Sequence, residues 1–252
     1  MAAGSDGEIG DSGADEALIP GLMPHLRELR RRLIWIGVIY LAGVVVVMHF
    51  SDAAFQFIAR PIRAALPPGT PLVFLGAPDL FFTYLKIALV LAIFLTAPLT
   101  FYHFWAFVAP GLYRHERRLF LTLLGASLLL LTAGAAFAFF VVFPLIFHFF
   151  FGLATDGIQA LPAVKEYLTL VLKLLFAFGL VFQIPLLVLL LVRLELVELA
   201  ALTGKRRHVV VWAFIIAAIL TPPDIISQTL LALPMLLLYE AGILAARLLG
   251  GR

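Results

Sequence analysis

Long uncharged runs, separated by basic clusters and two extended polar segments, set the pattern of this chain. Apolar residues run from Leu33 to Phe50, Ile87 to Val108, Leu119 to Phe143 and Tyr167 to Val192. Each run is close to the roughly 20 residues an α-helix needs to cross about 30 Å of hydrocarbon. The third stops at Pro144. A last apolar region, Val209 to Tyr239, is too long for one span, and Pro222-Pro223-Asp224 divides it. Each proline there lacks a backbone donor and clashes with the preceding turn, so the region reads as two helices. The pattern predicts an all-α integral membrane protein with spans at about 33–50, 83–108, 119–147, 167–192, 209–221 and 225–246.

The division leaves cores of about 12 and 15 residues, or roughly 18 and 22 Å at 1.5 Å per residue. Neither covers an unperturbed bilayer. Short spans are accommodated by local thinning or by a wet cavity, which puts Asp224, Ser227 and Gln228 near water. The expected architecture is a concave bundle with two short C-terminal spans. Long segments at 51–82 and 152–166 connect the spans on one side.

Ahead of the first span, Leu26, Leu29 and Leu33 fall at helical spacing with charges on the other face, the mark of an interfacial amphipathic helix. Residues 1–22 read as a disordered acidic tail, without the basic n-region of a removable signal peptide. A six-span membrane domain then covers 23–248.

Composition agrees with the pattern: 63% of the 252 residues are hydrophobic and 13% charged, far from a soluble balance. The net charge of +3 does not require nucleic acid, because basic residues beside apolar spans set topology. One side carries Arg27, Arg30, Arg31, Arg32, Arg114, Arg117, Arg118, Arg193, Lys205, Arg206, Arg207, Arg247 and Arg252; the other carries Arg60, Arg63 and Lys165. That asymmetry predicts both termini in the cytoplasm. With no cysteine in the chain, disulfides and thiolate chemistry are excluded.

Candidate chemistry is sparse. The six histidines show no metal-ligand spacing, and no phosphate loop or nucleophile elbow occurs. No cofactor or metal is expected, and the absence of a catalytic cluster argues against an intramembrane enzyme. Lys86 and Lys173 lie near span ends and read as stems that snorkel outward. Gln183 stands about 24 Å into the fourth span, where an interhelical hydrogen bond explains it as well as function does. On the basic side, Glu28 and Glu116 stand among arginines, and their charge pattern alone reads as surface pairing.

Four stretches carry a resemblance. They are His25-Leu26-Arg27-Glu28-Leu29-Arg30-Arg31-Arg32-Leu33, the run from Trp105 to Arg118 through Pro110-Gly111-Leu112-Tyr113-Arg114-His115-Glu116, then Phe139 to Pro144, and Leu220 to Pro234. In order and spacing, from about His25 to Gly242, the chain resembles the TatC family of the twin-arginine translocase. The resemblance implies a non-enzymatic receptor subunit in the bacterial inner membrane that binds twin-arginine signal peptides with TatB. It also implies recruitment of TatA, assembly with further copies of itself, and transport of folded proteins driven by the proton-motive force.

The resemblance makes Glu28 and Glu116 the carboxylates that receive the signal's arginines, a task that suits bidentate guanidinium pairing. Arg30, Phe107, Tyr113 and His115 fall on the same recognition surface. Pro61 and Pro98 shape the outer segment and the second span, while Gln183, Asp224 and Gln228 serve structure or partner contact. One departure stands out: many members carry a glutamate where this chain has Gln183, and a glutamine cannot relay a proton. Apart from the resemblance, a small ion-coupled transporter with Gln183 at its site remains an alternative.

Overall fold

The computed structural model describes residues 12–66, 70–108, 117–152, 163–221 and 224–249. Among these the chain is helical, with one isolated bridge between Val73 and Ala163. Five helical segments are long and apolar enough to cross a membrane: Leu26–His49, Pro78–Val108, Phe120–Gly152, Val164–Arg193 and Ile225–Leu248. A sixth apolar helix is short.

The first helix, α1 (Ser12–His49), is continuous with the amphipathic segment and reaches back through residues 12–22, where the pattern predicts a tail. Residues 1–11 of the expected tail lie outside the described residues. α1 packs along α4 (Ala77–Val108). Their approach depends on Gly43, where an added Cβ would stand 2.5 Å from Thr96 Cγ2; small residues at such crossings let helices pack closely where lipid offers no competing hydrophobic drive.

Between α1 and α4 lie α2 (Ser51–Ile58) and α3 (Arg60–Ala65), which cap one end of the bundle. Their buried residues Phe55, Ile58, Ala59 and Ile62 join the main core with the helices of the third and fourth spans. Tyr167 ties the cap down, its hydroxyl donating to the Ile58 carbonyl at 2.8 Å.

The third span does not end before Pro144. α5 (Arg117–Phe137) runs into a π-helical turn, Ala138–Val142, and then into α6 (Phe143–Gly152). Pro144 has no N–H to give the preceding turn, and the wider π turn absorbs the displaced carbonyls without stopping the helix. The fourth span is divided instead: α7 (Val164–Val181) and α8 (Ile184–Arg193) meet at Phe182 and Gln183, with Pro185 in the first turn of α8.

After α9 (Leu199–Gly204) come α10 (Arg206–Leu220) and α11 (Ile225–Leu249), which pack on one another; α8 also lies on α11. α10 has 15 residues, about 22 Å. The apolar core of α11 is equally short, but its helix continues to 25 residues, since glutamate ends an apolar run without ending a helix; Glu240 pairs with Arg206 at 2.7 Å. Large apolar side chains such as Val45, Leu129, Phe140 and Ile219, each about 70% exposed, cover the outer surface, as expected of helices solvated by lipid.

Candidate functional site

The acid in the amphipathic helix is held by its own helix. Arg32 donates to Glu28 Oε1 from Nε at 3.0 Å and also from Nη2, an i,i+4 pair with Glu28 nearer the N-terminus. That polarity is the favourable one, but such pairs contribute only about 0.2–0.5 kcal/mol. Arg32 also reaches across to α4, donating from Nη1 to the His103 carbonyl at 3.5 Å. The pair is therefore docked on a second helix.

α1 and α4 are antiparallel, so one turn back from Arg32 matches one turn forward from His103. Glu28 then stands level with Phe107, which is half-buried in the last turn of α4. Arg30 is exposed on the solvent side of α1. α5 begins at Arg117, with Phe120 edge-on to Tyr102 of α4 at 5.8 Å between ring centroids. Tyr113, His115 and Glu116, in the segment 109–116 that joins α4 to α5, lie outside the described residues.

Arg32 is the neighbour of Glu28 that attention to lone acids overlooks. The signal for it was the i,i+4 spacing itself. A second missed group is Ser127, 1% exposed, where three spans meet. Its Oγ accepts from Trp105 Nε1 at 2.8 Å, and its carbonyl accepts from Gln183 Nε2 at 3.1 Å. Nothing in the local sequence marks Ser127, since its partners lie on other helices.

Gln183 thus acts as an interhelical donor at the point where the fourth span divides. An ionised glutamate could not donate there. Asp224 caps α11, its Oδ1 accepting from Ser227 N at 2.7 Å. Gln228, expected to offer a hydrogen bond to a partner helix, spends its amide N–H inside the chain, donating to the Phe214 carbonyl at 2.9 Å and tying α11 to α10. Pro61 is buried at the start of α3, and Pro98 lies on the exposed face of α4. Lys86 does not simply snorkel: it donates to Thr169 Oγ1 at 3.2 Å. No group of three or more metal-ligating side chains occurs among the described residues.

The family model for the Sec-independent protein translocase protein (TatC) matches residues 24–234. A Sec-independent protein translocase protein TatC of Desulforapulum autotrophicum is 41% identical over 226 residues, covering 90% of this chain and 84% of the relative. That of Escherichia coli is 38% identical over 231 residues, covering 92% and 90%. A crystal structure described as the twin arginine translocase receptor TatC superposes with a TM-score of 0.81 at 38% identity, covering 89% of this chain and 98% of the other.

Proposed function

The chain belongs to the TatC family of Sec-independent protein translocase proteins, and we propose that within the translocase it is the subunit that receives the two arginines of a twin-arginine signal peptide. It is a multi-pass bacterial membrane protein and a translocase component, not an enzyme. In this reading the arginine-rich ends face the cytoplasm, TatB shares recognition of the signal, TatA is recruited afterwards, and the proton-motive force drives folded cargo across.

The observation that supports it best is the Glu28–Arg32 pair seated on the His103 carbonyl, level with Phe107. An incoming guanidinium has only to exchange for Arg32, and the pair it displaces is a weak i,i+4 contact. Glu116, the residue before α5, supplies the second carboxylate from the connecting segment. Two carboxylates favour a paired cation over a single one, because each guanidinium of the pair gains its own charge-assisted contact. In this reading Arg30, Tyr113 and His115 contribute to the same recognition of the signal.

Signal-peptide photocrosslinking tests the assignment. Glu116→Ala and Glu116→Gln should both weaken crosslinking to a twin-arginine signal with abundance and insertion unchanged, and Glu28→Gln should do the same. Undiminished crosslinking in all three would remove the carboxylates from the site. The transporter alternative finds no support, since the Gln183 amide N–H on which it drew is engaged with the Ser127 carbonyl.

Partner helices are assigned to the α10–α11 edge. With the Gln228 N–H engaged internally, docking rests on the exposed stripe Thr229, Leu233 and Leu237, spaced one turn apart while Leu231, Ala232 and Met235 are buried. Single cysteines from Leu230 to Leu237 should crosslink to TatB with a three-to-four residue repeat peaking at 233 and 237. Crosslinks evenly distributed around the helix, or confined to α1, would move the docking edge elsewhere.

A further inference from the structure

A cavity of about 490 Å³ opens where α6, α7 and the C-terminal end of α10 meet. Its wall is apolar, formed by Phe147, Phe150 and Phe151 with Ile219 and Leu220. Its rim is polar and carries Lys173. This lysine is exposed and has no hydrogen bond or ion pair among the described residues. Thr169, one turn earlier on α7, also lines the rim and accepts from Lys86 Nζ at 3.2 Å. The acid that lines the cavity is Glu166, also exposed, and Lys86 approaches from behind Thr169 without lining it. Lys165 is engaged elsewhere, with Asp79 at 3.0 Å.

Depth makes this lysine unusual. α10 starts at Arg206, which pairs with Glu240, and its other end lines the cavity. With Arg206 at one boundary of the hydrocarbon, the 15 residues of α10 rise about 22 Å, so the cavity lies roughly 8 Å short of the opposite boundary of an unperturbed 30 Å core. An ammonium at that depth is costly unless it meets an anion or water. Extension of the lysine stem recovers part of the difference, and descent of the lipid headgroups to meet the short helix recovers the rest.

We propose that this cavity is a binding site for one anionic phospholipid. Its phosphate sits on Lys173 with Lys86 adjacent, and the upper part of an acyl chain lies against the three phenylalanines. The charge of the rim, the apolar wall and the shortness of α10 all select a molecule with a phosphate at one end and a hydrocarbon at the other. Bound there, the lipid anchors the thinned membrane to the protein at the far end of α10.

Native mass spectrometry of the full chain in detergent, with phosphatidylglycerol and phosphatidylcholine added at equal concentration, tests the proposal. The wild-type chain should retain phosphatidylglycerol with a preference of about fivefold, the order expected of one lysine near an anionic headgroup. Lys173→Gln should reduce that preference to less than about twofold, while Lys205→Gln, an exposed lysine outside the cavity, should leave it intact. Ile219→Trp, at a site 72% exposed that tolerates a larger side chain, should fill the cavity and lower retention of both lipids. Equal retention of the two lipids by the wild type, or an undiminished preference in Lys173→Gln, would overturn the proposal. So would abolition of the preference by excess inorganic phosphate, which would make the ligand a free anion, or a co-purifying polypeptide lost in Lys173→Gln.

Discussion

Gly134 offers the sharpest test of how the bundle is held. It lies on α5 against α7, and a Cβ added there would stand 2.5 Å from the Phe178 carbonyl oxygen, 3.0 Å from its carbon and 3.0 Å from Phe182 Cβ. The first distance is about 0.9 Å below the 3.4 Å at which ordinary contact begins, and the atom met is backbone, which cannot rotate away. Gly134→Ala should therefore force α5 and α7 apart, an overpacking cost of about 1–3 kcal/mol. Against this, alanine gains about 0.8–1.0 kcal/mol of helix propensity over glycine. Gly125, on the same helix, isolates the second effect, since nothing lies within 4 Å of its added Cβ. Gly125→Ala should stabilise by up to about 1 kcal/mol, so the two variants should differ by the packing cost alone, about 1–3 kcal/mol. At 2–4 °C per kcal/mol for a chain of this size, that is a gap of roughly 2–12 °C in apparent Tm. Heating each variant in detergent and following the folded fraction by size-exclusion chromatography measures it. The same separation should strain the Gln183–Ser127 hydrogen bond, two turns away along α5. If Gly134→Ala melts with or above Gly125→Ala, the close approach of α5 to α7 is not what holds these spans together.

Asp224→Ala should remove the cap on α11 and cost about 0.5–2 kcal/mol, whereas Asp224→Ser should retain most of it; the comparison of melting temperatures decides. Gln228→Leu should loosen the α10–α11 hairpin by about 0.5–1.5 kcal/mol and increase hydrogen exchange around Phe214, an effect absent if the amide merely faces lipid. Glu195 holds a φ of 57° just after α8, a left-handed conformation that costs a side chain about 1–2 kcal/mol, so Glu195→Gly should raise the melting temperature.

The acid on α1 shows how far local spacing reaches. Glu28 and Arg32 are four residues apart, so their pairing was legible as an i,i+4 contact, and the structure adds the His103 carbonyl on which the pair rests. Gln183 is the opposite case. Its depth fitted an interhelical hydrogen bond as well as a functional role, and its acceptor, Ser127, is 56 residues away, so no periodicity connects the two.

Hydropathy reports the solvent of each segment, which is why the uncharged runs by themselves fixed the number of apolar helices, and why Pro222-Pro223 fixed the division of the last region. Backbone continuity did not follow from the same signals. Pro144 reads as a stop, yet the third span passes through it by a π turn, while the fourth span, apolar on both sides of the break, divides at Gln183. A proline in a packed bundle needs only a local way to relieve its missing donor and its clash, and whether one is available depends on the neighbouring helices. Lys173 is settled the same way. As one cation in an apolar run it reads as a snorkelling stem, and only the meeting of α6, α7 and the end of α10 sets it on the rim of a cavity. Sequence determined which residues leave water; contacts between residues far apart in the chain decided what the polar ones among them meet.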